Sequence, residues 1–368
     1  MRNSKLKILV AAGGTGGHVY PAIAIATAIK ELNPDAEILF VGTKNHMEWE
    51  AVPKAGFKIS NIWISGFQRR FTLKNLLFPI KLVVSVLQSL KILNSFKPQV
   101  VVSCGGYVAG PIGWAASKMD IKVVIQEQNS FPGVTNRMLA KYASKIFTAF
   151  KEAEAYFPNK EVIEAGNPTR ASLTKVDKEI GLKAFQFDST KPVLLVLGGS
   201  LGAKSINQAI KANLFGLTSV QLLWQCGTQY YDRLTTEINL TSYPNVRLVP
   251  YIEKMPEAYA AADLVISRAG ASSCSELMLV GKPSVLIPSP NVAGDHQTQN
   301  ARAMADAGAT ILLEDALALK SLPSIIHTLV HDHKRLAAMS AAALKLAKPD
   351  AANQIATEII ELAKSRLN

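Results

Sequence analysis

His18 closes a glycine cluster, Gly13-Gly-Thr-Gly-Gly-His18, that follows a short apolar run. Glycines ahead of a helix let backbone N–H groups approach a phosphate or another anion. The spacing is not the dinucleotide fingerprint, because counting from Gly14 the third glycine position is Val19; nor does a Gly-Lys-[Ser/Thr] close it as in a P-loop. A tight strand-to-helix turn would explain one such loop. Two more occur after apolar runs, Ser103-Cys-Gly-Gly-Tyr-Val-Ala-Gly110 and Gly198-Gly-Ser-Leu-Gly-Ala203. Three loops spread over two domains describe a cleft that binds anionic groups from both sides.

Further polar groups follow other apolar runs. In Asp263-Leu-Val-Ile-Ser-Arg-Ala-Gly-Ala-Ser-Ser-Cys-Ser-Glu276, Ser272 and Ser273 fall at a helix start and Glu276 about one turn in. A carboxylate there can accept both hydroxyls of a ribose while hydroxyls and N–H groups face phosphate; an N-capped helix with a dipole-stabilising Glu is the plainer alternative. On that alternative, removing the Glu276 carboxylate costs folding little. Asp295-His-Gln-Thr-Gln-Asn300 suits sugar hydroxyls, and Gln126-Glu-Gln-Asn129 offers Glu127 as a general base or substrate-binding carboxylate. There is no Asp-x-Asp pair and no clustered His/Cys ligand set, which favours a mechanism without metal or other cofactor.

These groups need strands to carry them. Lys7-Ile-Leu-Val-Ala-Ala before the first glycine loop and Lys191-Pro-Val-Leu-Leu-Val-Leu before the third read as equivalent buried strands. Their repetition half a chain apart implies two similar mononucleotide-type α/β domains. Strands are expected at 37–41, 100–103, 122–125, 145–149, 221–225, 246–249, 263–267 and 283–287, and helices at 21–32, 79–93, 205–212, 272–280 and 296–307. The turn-rich Glu164-Ala-Gly-Asn-Pro-Thr-Arg170 marks the hinge, and a last helix near 351–367 could pack back on the first domain.

Of 368 residues, 48% are hydrophobic and 18% charged, which excludes long disorder and coiled coil. Three cysteines without ligand spacing point to a reducing compartment. The net charge of +12 is uneven: residues 51–119 hold nine Lys/Arg and no Asp or Glu. Within them, Phe67–Lys81 interleaves Arg69, Arg70, Lys74 and Lys81 with Phe71, Leu76, Leu77 and Phe78, the pattern of an interfacial membrane anchor. No nucleic-acid-binding module is present, so RNA is not expected as a partner.

In order along the chain, Gly-Gly-Thr-Gly-Gly-His, Gly-Gly-Tyr-Val-x-Gly-Pro, Glu-Gln-Asn, Gly-Asn-Pro-x-Arg, Gly-Gly-Ser-x-Gly-Ala, Ser-Arg-x-Gly-Ala and Asp-His-Gln-x-x-Asn-Ala make the sequence closely resemble the MurG family. These bacterial transferases move N-acetylglucosamine (GlcNAc) from UDP-GlcNAc to the 4-hydroxyl of MurNAc in lipid I, forming lipid II for peptidoglycan. The resemblance implies a GT-B fold: two Rossmann-like α/β domains facing a central cleft. Residues 1–167 with helix 351–368 would take the lipid acceptor, and 168–350 would bind UDP-GlcNAc. It implies a peripheral enzyme at the cytoplasmic face of the inner membrane, held to its anionic surface through Phe67–Lys81.

By motif, Thr15, Gly16 and Gly17 would lie beside the donor with Asn129 nearby, and Arg170 and Ser200 would contact it. The Ile252 backbone would meet the uracil. Ala271, Ser272, Ser273, Cys274, Ser275 and Glu276 would hold sugar, phosphate and ribose, with Gln297 on the GlcNAc hydroxyls. An α-linked donor giving a β product requires one inverting displacement and a base. His18 is the first candidate and Glu127 the second. Departures are Gln126 where the family often has His, Leu201 for Gln and Ser273 for Thr. The alternatives are another lipid-acceptor transferase of this fold, a UDP-GlcNAc 2-epimerase, or a regulatory protein that binds the nucleotide sugar without turnover.

Overall fold

The most apolar runs become the central strands of two parallel sheets in the computed structural model, which describes residues 5–66, 77–169, 171–199 and 201–366. The chain forms two units: one runs to Thr169 and takes back the chain from Lys348, and the other covers the residues between, as far as Ala347.

In the first unit the strands are β1 (Lys7–Ala11), β2 (Glu37–Gly42), β3 (Lys58–Asn61), β4 (Val100–Ser103), β5 (Lys122–Glu127), β6 (Ala143–Thr148) and β7 (Val162–Glu164). They lie in the order β3-β2-β1-β4-β5-β6-β7. β1 pairs in parallel with β2 and β4, Leu9 opposite Leu39 on one side and Val101 on the other. Ile8, Leu9, Val10 and Ala11 are all buried because helices cover both faces of such a sheet. On one face Ile8 and Val10 share a core with Ile25 and Ile29 of helix Gly16–Leu32 and with Ile355 and Ile359 of helix Ala351–Lys364. The last helix meets that core through Ile355, Ala356, Ile359, Ile360 and Ala363, a stripe of helical period.

The second unit holds β8 (Val193–Leu197), β9 (Gln221–Gln225), β10 (Val246–Val249), β11 (Leu264–Ser267), β12 (Ser284–Leu286) and β13 (Thr310–Leu312) in the order β10-β9-β8-β11-β12-β13. Both sheets therefore reverse direction beside their first strand, between β1 and β4 and between β8 and β11. That is the doubly wound arrangement, and ligands of such sheets bind outside the carboxyl ends of the strands at the reversal. The glycine loops leave the sheets at these two places.

One boundary moves with consequence. Helix Gly16–Leu32 begins five residues before Pro21, with Thr15 as its extended N-terminal flank and no side-chain cap. Gly16 and Gly17 thus form its first turn, where N–H groups have no intrahelical acceptor.

Candidate functional site

In the first unit, the loops after β1 and β4 meet at the reversal. Gly106, at φ +80°, has room for no side chain: a Cβ would sit 2.3 Å from the Gly13 carbonyl oxygen. Gly105 performs the same service for His18, whose Cδ2 would lie 2.8 Å from an added Cβ. The imidazole is thereby packed against the second loop, and its Nδ1 lies 3.1 Å from Thr15 Oγ1. If Nδ1–H donates to that hydroxyl, Nε2 is the basic nitrogen; the reverse tautomer would put the proton on Nε2. The Gly14 N–H is committed elsewhere, to the buried Glu48 carboxylate at 3.3 Å, which also accepts from Thr43 N and Oγ1. An anion at this loop therefore meets the turn at Gly16 and Gly17. Tyr107 stands against Gly14, its phenol pKa raised by burial and then by the Glu48 charge.

Glu127 needs correction as a candidate base. Its side chain is 1% exposed. Oε1 accepts from Asn129 N at 2.9 Å and Asn129 Nδ2 at 3.2 Å; Oε2 accepts from Gly133 N at 3.0 Å and Asn136 Nδ2 at 2.8 Å. A buried carboxylate that already accepts four hydrogen bonds has no lone pair to offer a substrate hydroxyl. It shapes the loop from Asn129 to Asn136, and Asn136 carries the network on by accepting from Ser103 Oγ at 3.2 Å.

In the second unit the reversal lies beside helix Ala271–Leu279. Gly270 is its N-terminal flank and no side chain caps it. The first bond of the helix runs from Cys274 N to the Gly270 carbonyl at 2.9 Å. The N–H groups of Ala271, Ser272 and Ser273 therefore precede the ladder, as an anion site requires. Ser272 Oγ is buried and makes no hydrogen bond, so this serine is not spent on capping. Glu276 lies in the second turn, and its Oε2 accepts from Tyr259 Oη, 2.9 Å away, on helix Met255–Ala261. Tyr259 is buried and fixes that carboxylate.

Two other members of the segment are corrected. Cys274 is fully buried and its N–H is used within the helix. Ser275 is buried and its hydroxyl donates to the Ala271 carbonyl at 2.9 Å. The Ser275 hydroxyl hydrogen is thus spent within the helix and the Cys274 thiol lies in the core. Burial also drives the Cys274 thiol pKa up to about 12, which leaves it inert.

Around them, the Ile252 N–H already donates to Gln225 Oε1 at 3.0 Å, and Gln225 Nε2 donates to the Gly199 carbonyl at 3.0 Å. Gln225 thus ties the third glycine loop to the Ile252 segment. Gln297 opens helix His296–Asp306 and accepts from Ser289 N at 2.8 Å, which turns its amide NH2 into the group available for an acceptor oxygen. Arg170 and Ser200 lie outside the described residues, as do residues 67–76 of the basic apolar stretch.

The N-terminal-domain signature of glycosyltransferase family 28 matches residues 8–148 and its C-terminal-domain signature matches residues 193–355. A protein of Salinibacter ruber called UDP-N-acetylglucosamine--N-acetylmuramyl-(pentapeptide) pyrophosphoryl-undecaprenol N-acetylglucosamine transferase is 46% identical over 359 residues, 97% of this chain and 96% of its own. The chain belongs to glycosyltransferase family 28. Its namesake in Christiangramia forsetii is also 46% identical, over 98% of this chain and 99% of its own. The crystal structure of Acinetobacter baumannii MurG superposes with a TM-score of 0.76 at 28% identity, covering 97% of this chain and 99% of that one. A UDP-GlcNAc 2-epimerase from Neisseria meningitidis shares the fold alone, at a TM-score of 0.67 and 15% identity over 97% of this chain and 100% of that one.

In this family 28 transferase several supporting residues carry no sequence signal of their own. Tyr259, Gln225, Glu48 and Asn136 lie far in the chain from the groups they hold, and nothing in local spacing marks them. Arg268 is the opposite case, a cation inside a recognised motif that serves the fold. Its guanidinium donates to the carbonyls of Ile287 and Pro288 at 3.0 and 3.1 Å and to Ser205 Oγ at 2.9 Å, and it pairs with Asp315.

Proposed function

We propose that this enzyme transfers GlcNAc from UDP-GlcNAc to the 4-hydroxyl of MurNAc in lipid I, giving lipid II. The observation that carries the donor half is the start of helix Ala271–Leu279, where three N–H groups precede the ladder and a buried serine hydroxyl lacks a partner beside a fixed carboxylate. In this reading Ala271, Ser272 and Ser273 hold the diphosphate, Glu276 accepts the ribose hydroxyls, and the Gln297 amide binds the sugar. Because Gln225 occupies the Ile252 N–H, recognition of the base at this residue falls to its carbonyl.

The acceptor's 4-hydroxyl oxygen attacks the anomeric carbon as the bond to the UDP oxygen breaks, and the leaving electrons pass to the diphosphate. Unpaired helix N–H groups lower the cost of that charge. His18 Nε2 takes the hydroxyl proton, with Nδ1–H donating to Thr15 Oγ1. In that tautomer Thr15 is the acceptor that orients the imidazole.

A peripheral site at the cytoplasmic face of the inner membrane completes the reading. Among the described residues no helix is long and apolar enough to cross a membrane. Helix Phe78–Phe96 and the residue before it instead leave Leu77, Ile80, Val83 and Leu87 exposed, and Lys81 Nζ stands 5.6 Å over the exposed Trp63 ring. Apolar side chains beside cations, continuing the stretch from Phe67, suit an anionic bilayer surface.

Incubation with radiolabelled UDP-GlcNAc and a lipid I analogue tests the reading. Label in the lipid product supports it. Conversion of the nucleotide sugar to its 2-epimer, or binding without turnover, would replace it with one of the alternatives.

A further inference from the structure

At the amino ends of the second unit's strands, opposite its glycine loops, lies a cavity of about 630 Å³ that the transfer does not use. The residues just before β8, β9, β11 and β12 form its floor, and the turn at His331 with the start of helix His333–Leu346 forms its rim. Lys178, Lys191, Lys282, His331 and His333 line it against one carboxylate, Asp263.

That carboxylate is already engaged: it pairs with Lys178 and accepts from Val193 N at 2.9 Å. The Lys282 ammonium donates to two neutral acceptors, the carbonyls of Ala262 at 2.7 Å and Ala260 at 3.3 Å. Burial pulls its pKa down to about 8, with Asp263 opposing the shift and Lys178 adding to it. A partly buried cation without a carboxylate of its own, in a cavity with two further lysines, is relieved by a bound anion. Ser219 and Ser340 add hydroxyl donors. Four further acids stand next to lining residues in sequence, Asp177 and Glu179 beside Lys178, Asp188 beside Ser189 and Asp332 between the two histidines. Asp188 accepts from Thr190 N and Oγ1 at 2.8 Å, and Asp332 accepts from Arg335 N at 2.9 Å at the start of its helix.

We propose that this cavity binds a small phosphate-bearing anion, with Lys282 as its central cation and Lys178 and Lys191 beside it. The ligand is inorganic phosphate or a phosphate monoester; both present the same dianionic group to the lysines. The proposal does not depend on the identity of the transferred sugar.

The test is calorimetric titration of the full chain with inorganic phosphate, and separately with glycerol 3-phosphate, in saturating UDP so that the donor site is occupied. Saturable binding is expected, weakened at least about tenfold in Lys191→Glu, with UDP affinity and turnover unchanged in that exposed variant. Lys282→Met should weaken it further. Tighter binding of the ester would identify the monoester as ligand, and equal binding the free anion. No saturable binding of either probe, or undiminished affinity in Lys191→Glu, would overturn the proposal, whether or not Lys282→Met folds.

Discussion

Replacing Glu276 by alanine should have two separable effects, and their sizes follow from the groups that touch it. The first is on the donor. A carboxylate accepting ribose hydroxyls makes charge-assisted hydrogen bonds, so its loss should cost about 1.5–3 kcal/mol, roughly 10- to 150-fold in UDP affinity. The second is on the fold. Sequence alone expects little, because a Glu near a helix start contributes some tenths of a kcal/mol. The structure revises that expectation, because Tyr259 is 1% exposed and donates to Glu276. Truncation removes the hydrogen bond between a buried hydroxyl and a carboxylate, at about 1–3 kcal/mol of stability. Glu276→Gln keeps an acceptor for Tyr259 and should retain most of the stability while losing part of the affinity. Calorimetry with UDP and with 2′-deoxy-UDP isolates the ribose contact. The wild type should penalise the missing 2′-hydroxyl, and Glu276→Ala should penalise it far less, the difference being the coupling of a double-mutant cycle. An equal deoxy penalty in both proteins would refute the ribose assignment, whatever happens to stability.

His18→Ala should lower kcat by about 10²–10⁴ with UDP affinity nearly intact, and Thr15→Val should shift the acid limb of the rate profile by freeing the imidazole tautomer; a change confined to acceptor KM would make His18 a positioning residue. Glu127→Gln turns an amide donor toward N–H groups that the carboxylate now accepts, so chemical denaturation should show a loss of about 1–3 kcal/mol; unchanged stability with a collapsed kcat would restore it as a base. Lys282 keeps its proton less readily in the folded chain, to about pH 8, than in the unfolded chain, whose lysine holds it to about pH 10.5. Between those values the unfolded state binds more protons, so this group makes stability rise with pH, and Lys282→Met should remove that part of the slope in denaturant titrations without added phosphate. Reversing Arg69, Arg70 and Lys74 to Glu should abolish low-salt sedimentation with anionic vesicles, since each cation near such a surface contributes about 1 kcal/mol; undiminished sedimentation would remove the stretch from the membrane contact.

The central strands were legible because parallel strands buried on both faces read as apolar runs: 100–103 and 221–225 appear at the expected bounds. Of the edges, β10 at 246–249 was legible through its alternating Val-Arg-Leu-Val, and the others were not. β3 has the half-polar sequence Lys-Ile-Ser-Asn, and β7 and β13 are three residues each, too short for any periodicity to register. Helix Gly16–Leu32 was expected late because glycines argue against helix, although in a first turn they are tolerated and give an anion close access to the backbone. The site divides in the same way. Glycine loops and the Ser-Ser pair announce themselves through local spacing. The commitments that decide what each group can do have no motif of their own: Glu127 accepts from its own loop over two and six residues, and Tyr259 reaches Glu276 from another helix.

The most direct test is to isolate the lipid product after the purified enzyme has acted on UDP-GlcNAc and a lipid I analogue, and to determine its mass and linkage. One added N-acetylhexosamine, β-linked to the MurNAc 4-oxygen, with UDP released in equal amount, is the predicted result. An unmodified lipid alongside a 2-epimerised nucleotide sugar, or a retained α linkage, would contradict the account.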